Sequence, residues 1–174
     1  MFGMFKKKPV PGGPITFDFD VMVESPPADV YALVDWADPR NAKRQLGHSV
    51  TGQSPHFELG MKALANHQIT NHQITFEVLE ETPDQVYAFT CDIQPRVGRL
   101  VASTERYTFE DAGHGKCLLR LVNEATFTEG ISHREFEQEM IKMSVATNDA
   151  IMKLKVLAEL GLEAAKSVEY ATFS

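Results

Sequence analysis

The chain has 174 residues, 43% of them hydrophobic, which suits a single domain with enough apolar content for a real core. Its net charge of −7 and pI near 5.3 argue against nucleic acid, because phosphate binding needs a basic surface, and against an anionic membrane surface. No apolar run approaches the roughly 18 residues that a transmembrane helix needs.

Residues 1–14 are rich in Lys, Pro and Gly and read as a flexible lead, with Lys6, Lys7 and Lys8 as a solvated basic cluster. Met1 to Lys8 has no apolar core, so no secretory signal is expected, and no Gly follows Met1 for myristoylation. From Ile15 the pattern alternates strictly. Ile15, Phe17, Phe19, Val21 and Val23 take one side and Thr16, Asp18, Asp20, Met22 and Glu24 the other, a strand with one buried face. Ser25-Pro26-Pro27 ends it and starts a helix whose apolar side carries Val30, Tyr31, Leu33 and Val34. Asp38-Pro39 marks a boundary, and a second short helix is expected to about Leu46.

Six strands are then predicted, near Ser49 to Gln53, Phe57 to Ala65, Ile74 to Glu81, Val86 to Ile93, Ala102 to Glu110 and Lys116 to Phe127. Ser54-Pro55, Thr82-Pro83-Asp84 and Asp111 to Gly115 supply turns between them. Asn66-His67-Gln68-Ile69-Thr70 is repeated at once as Asn71-His72-Gln73-Ile74-Thr75. Five is odd, so a continuous strand would turn the two copies to opposite faces, and a turn or bulge at Thr70-Asn71 is expected. Cys91 and Cys117 fall in predicted strands. Buried free thiols in a reducing cytoplasm are the expected state.

Ser132 and Glu135 have the spacing of a capping box, which opens a long helix. Phe136, Met140, Met143, Thr147, Ala150, Leu154 and Leu157 recur at steps of four and three, one face of a 3.6-residue helix. Gly161 is the expected stop, and 162–174 is read as a tail.

The order is strand, two short helices, six strands, long helix. Together with Ser25 to Val34, Asp38-Pro39, the hairpin Glu105 to Val122 around Gly113 and Gly115, and Leu154-Lys155 near the end of the last helix, it resembles the START-like superfamily. That superfamily's helix-grip fold is shared with pollen allergen Bet v 1 and with polyketide cyclase/dehydrase-type proteins. The resemblance spans residues 15–161. It implies an α+β fold in which a curved antiparallel seven-stranded sheet wraps the C-terminal helix, with an apolar cavity between them. It also implies a small hydrophobic ligand, such as a lipid, a quinone or an aromatic polyketide-like molecule. Some members catalyse cyclisation or dehydration, and others act as co-chaperones; fold does not choose among these.

Alternation places Glu105, Tyr107 and Phe109 on the inner face of one strand and Leu121 and Asn123 on that of the next. Arg106, Glu110, Arg120 and Glu124 form an outer charged set. A carboxylate on an apolar face is costly unless paired or protonated. Glu105 is therefore either set at the rim or turned outward by a bulge, or else turned inward as a ligand anchor or general acid/base. The expected lining is Phe17, Phe19, Glu105, Tyr107, Phe109, Leu121, Asn123, Phe136, Met140, Met143 and Leu154, with methionine suited to varied apolar shapes. Glu105 and Tyr107 are the catalytic candidates should the protein be an enzyme. Arg96 and Arg99 read as loop charges and His114 as a turn residue.

No metal site is expected, since His48, His56, His67, His72, His114 and His133 show no ligand spacing. No cofactor is expected either, since phosphate-loop and dinucleotide fingerprints are absent. A cytoplasmic carrier of a small hydrophobic molecule is the leading reading, ahead of a cyclase or dehydratase and of a co-chaperone-like module. Exposed sheet edges and the tail are the surfaces a homodimer would use.

Overall fold

The computed structural model describes residue 10, residues 12–60 and residues 72–172. The alternation beginning at Ile15 forms strand β1 (Ile15–Val23), with Phe17 and Val23 buried and the aspartates outward. Helix α1 (Pro27–Val34) starts on a proline in its first turn, where the missing N–H costs nothing, and buries Val30 to Val34. Helix α2 (Ala42–Gln45) is capped by Asn41, whose side chain accepts the Lys43 N–H at 3.0 Å.

Strands β2 (Ser49–Gln53), β3 (His56–Gly60), β4 (Gln73–Thr82), β5 (Val86–Gln94), β6 (Leu100–Gly113) and β7 (Lys116–Phe127) follow. The chain closes with helix α3 (His133–Leu160) and helix α4 (Leu162–Thr172). The end of the strand expected over Phe57 to Ala65, and the turn expected at Thr70-Asn71 in the repeat, lie outside the described residues. Leu162 to Thr172, read as a tail from sequence, is helical, and Gly161 separates it from α3 with a φ of 84° that favours glycine.

The seven strands form one antiparallel sheet in the order β1-β7-β6-β5-β4-β3-β2. Register sets which side chains share the inner face. Phe17 opposes Asn123, which opposes Glu105, which opposes Phe89. One step along, Phe19, Leu121, Tyr107 and Tyr87 form a second row. Outward-facing Arg120 pairs with Asp18, and Arg106 with Glu80, as their alternation requires.

Helix α3 packs on β1 and β7 and against α4. Its capping box is complete: the Glu135 N–H donates to Ser132 Oγ at 3.2 Å and the Ser132 N–H to Glu135 Oε2 at 2.9 Å. Its buried positions are Glu139, Thr147, Ile151, Leu154 and Leu157. That face includes Glu139, which the apolar pattern passed over. Glu139 is kept by polar partners, accepting the Arg99 N–H at 3.3 Å and pairing with Lys142 at 3.1 Å. Over the β4–β5 half of the sheet the cover is Trp36, stacked on Phe76 at 4.1 Å and edge-on to Phe89 at 5.5 Å. No helix among the described residues is long and apolar enough to cross a membrane.

Candidate functional site

A cavity of about 290 Å3 lies between the sheet and its helical cover. Strands β3 to β6 form its floor through Leu59, Ile74, Phe76, Phe89, Cys91, Ile93, Glu105 and Tyr107. The α1–α2 segment gives one wall with Leu33, Val34, Trp36, Asn41, Ala42, Lys43 and Leu46. Helix α3 gives the other with Ala150, Lys153, Leu154 and Leu157, and α4 adds Ala165, itself 3% exposed. The lining is mainly apolar, with a few polar groups at defined places, the usual chemistry of a small-molecule pocket.

Both walls are fixed by local structure. Asn41 donates from Nδ2 to the Val34 and Asp35 carbonyls at 3.1 and 3.0 Å, holding α2 against the end of α1. Arg44 donates to the Trp36 carbonyl at 2.8 Å and the Val50 carbonyl at 3.0 Å, tying α2 to the tryptophan and to β2. Lys43 sits between these two clamps. On α3, residues 150, 153, 154 and 157 share one face, so three apolar side chains and one lysine reach the cavity together.

The polar centre of the floor is the Glu105–Tyr107 pair. The Tyr107 hydroxyl donates to Glu105 Oε2 at 2.8 Å. Burial pushes the Glu105 carboxyl above its ordinary range; the Tyr107 hydrogen bond and the Lys43 charge oppose that push without cancelling it. Burial also pushes the Tyr107 hydroxyl well up, helped by the charge and hydrogen bond of Glu105. Cys91, beside them, is pushed up to about 12 by burial and then by the charges of Glu105 and Asp92. Both Cys91 and Cys117 are free thiols.

Of the residues expected from sequence, Glu105, Tyr107 and Leu154 meet in this cavity. Phe17, Phe109, Leu121 and Asn123 are buried elsewhere on the inner face, and Phe19 is half-buried among them. Phe109 packs edge-on to Tyr31 at 5.3 Å, and Asn123 donates to Thr147 Oγ1 at 3.3 Å under α3. Phe136, Met140 and Met143 are half-buried on the first half of α3, and Phe136 meets Phe127 edge-on. The physical reason is that α3 lies directly on β1 and β7 and fills that half of the grip. Space remains under its second half, toward β3–β5. Trp36, Phe89, Cys91, Lys43 and Lys153 were missed. Inner-face alternation in β5 could have given Phe89 and Cys91, and the stripe through 150, 154 and 157 could have given Lys153. Trp36 and Lys43 follow only from how the α1–α2 segment folds back.

Set beside solved structures, this arrangement has clear counterparts. CalU16 from Micromonospora echinospora matches over 94% of this chain and 90% of its own, with a TM-score of 0.53 at 14% identity. The Aha1 dimer from Colwellia psychrerythraea matches over 84% and 98%, with 0.56 at 12% identity. Ara h 8.0201 matches over 80% and 99%, with 0.51 at 13% identity. At these identities the likeness is one of fold. The chain has the START-like, Bet v 1-type helix-grip fold. No protein-family model matches the chain, and no curated protein matches it.

Proposed function

We propose that the protein binds a small hydrophobic molecule in the cavity between β3–β6 and the second half of α3. The observation that carries this reading is an apolar space of about 290 Å3 with one polar pair, Glu105 and Tyr107, set in its floor. That volume is near the lower end of the ~300–1,000 Å3 usual for ligand sites, so a compact ligand fits better than a long lipid. Burial of its apolar surface drives binding, at about 25 cal/mol per Å2 before the costs of immobilising it. Glu105 and Tyr107 orient it.

Ala150→Trp fills the cavity from α3. It should cut uptake of the neutral fluorescent probe N-phenyl-1-naphthylamine at least tenfold while the protein keeps its melting transition. Met140→Trp, outside the cavity, is the control and should retain uptake. A wild-type protein that takes up no probe, or an Ala150→Trp protein that binds it unchanged, overturns the reading.

The 2.8 Å contact between Tyr107 and Glu105 favours one second reading, an enzyme in which this pair moves a proton on the bound molecule. A carboxyl held up by burial keeps its proton to higher pH than an ordinary one, which suits a proton donor. Glu105→Gln separates the two: an enzyme loses turnover and keeps binding, and a carrier has no turnover to lose.

A further inference from the structure

We infer that the cavity takes flat, uncharged aromatic bases, and that Glu105 Oε1 meets the ligand's ring nitrogen. This rests on the binding reading above and names its ligand class.

Glu105 has one oxygen occupied and one open. Oε2 accepts the Tyr107 hydroxyl at 2.8 Å, while Oε1 has no hydrogen-bond partner among the described residues. Nor is Oε1 sealed in, as the unpaired Oδ1 of Asn123 on the neighbouring strand is. Glu105 keeps part of its surface although it lies in the floor of the grip, and that surface faces the cavity. Around it the lining is aromatic. Phe89 opposes Glu105 across the β5–β6 register, the Tyr107 ring lies within 23° of parallel to Phe89, and Trp36 is stacked on Phe76. Such rings suit a flat aromatic guest, which can stack on their faces or meet their edges. The other titratable or charged groups at the cavity are Tyr107 on β6, Cys91 on β5, Lys43 on α2 and Lys153 on α3. Neither lysine is needed to hold the guest, and each has an interaction of its own.

The open oxygen selects the guest. Burial favours the protonated form of this carboxyl. With Oε2 accepting from Tyr107, the proton belongs on Oε1, which becomes a donor open to the cavity. A ring nitrogen with a free lone pair accepts it. The proton can also cross, breaking O–H and forming N–H, to leave a carboxylate beside a ring N–H cation. In both forms the pair is neutral overall, so no net charge enters apolar surroundings. A guest without the nitrogen leaves Oε1 unpaired. A permanent cation must shed its hydration to enter and offers Oε1 no acceptor.

The test displaces N-phenyl-1-naphthylamine from the full chain at pH 6.5 with three molecules of nearly one shape: quinoline, naphthalene and N-methylquinolinium. Naphthalene is the most hydrophobic of them and wins wherever apolar burial alone decides. In the wild type quinoline should nonetheless bind at least as tightly as naphthalene, with N-methylquinolinium weakest. In Glu105→Leu/Tyr107→Phe, checked by its melting transition, naphthalene should overtake quinoline by about tenfold, the loss of one strong hydrogen bond. The shape-conserving Glu105→Gln should shift the ratio in the same direction. Naphthalene binding tighter than quinoline in the wild type, N-methylquinolinium binding tighter than quinoline, or a ratio unchanged in both variants overturns the inference. If the probe binds but none of the three displaces it, the inference fails and the cavity reading stands. If the probe itself does not bind, both fail together.

Discussion

Tyr107 and Glu105 lie two residues apart on β6, and the tyrosine hydroxyl donates to the glutamate carboxyl at 2.8 Å inside the grip. A strand sends residues i and i+2 to the same face. The contact therefore needs no loop or distant element to form. The sheet supplies the burial, and burial makes this carboxyl different from those on the surface.

The first prediction follows from that burial. The folded state holds the Glu105 pKa above its ordinary value of 4.5. The protonated form is thus favoured by folding, and its contribution is fully present below pH 4.5. It is lost as pH rises through the folded pKa. Glu105→Gln, which keeps an acceptor for Tyr107, should match the wild type in acid and gain on it as pH increases. Melting temperatures of both proteins across pH 4–9 test this; parallel curves would exclude a buried titrating carboxyl.

The second concerns the thiols. With Cys91 pushed up to about 12 and Cys117 to about 11, both by burial, the thiolate fraction at pH 8 is small, about one in 10,000 and one in 1,000 respectively. Alkylation of the folded protein should be far slower than in denaturant at either site. A cavity ligand should slow Cys91 further and leave Cys117 unchanged, because only Cys91 lines the cavity. Mass spectrometry of the labelled peptides reads both rates.

The third tests the start of α3. Ser132→Ala removes the Oγ acceptor of the capping box and should cost about 1 kcal/mol in denaturant unfolding at pH 7. Glu135 is held down to about 2, first by the Ser132 N–H and hydroxyl and then by Arg99. A depressed carboxylate contributes its stability above 4.5 and loses it as pH falls toward 2. Glu135→Gln should flatten that part of the acid unfolding curve. An unaltered acid limb would mean that the box forms no net interaction.

The elements themselves were largely legible. Strict alternation marked β1, and the observed bounds of β2 and β7 are those read from sequence. Ser132 and Glu135 marked the helix start, because a capping box is a local device with a local signature. The inward turn of Glu105 was legible as one of two alternatives. Strand pairing decided between them, by setting Glu105 in the same inner row as Phe89 and Asn123.

What sequence determined by itself was periodicity: which side of the strands and of α3 is apolar, where most elements begin to within about two residues, and that Glu105 and Tyr107 share a face. Only tertiary structure decided where the empty space would be. Nearly the whole inner face is apolar, so hydrophobicity alone does not tell a packed position from a lining one. Leu121 and Leu154 look alike in the pattern. The first is sealed at 0% exposure and the second borders the cavity. The difference lies in how α3 sits on β1 and β7 while Asn41 and Arg44 hold the Trp36 segment over β4 and β5, and those contacts join residues far apart in the chain.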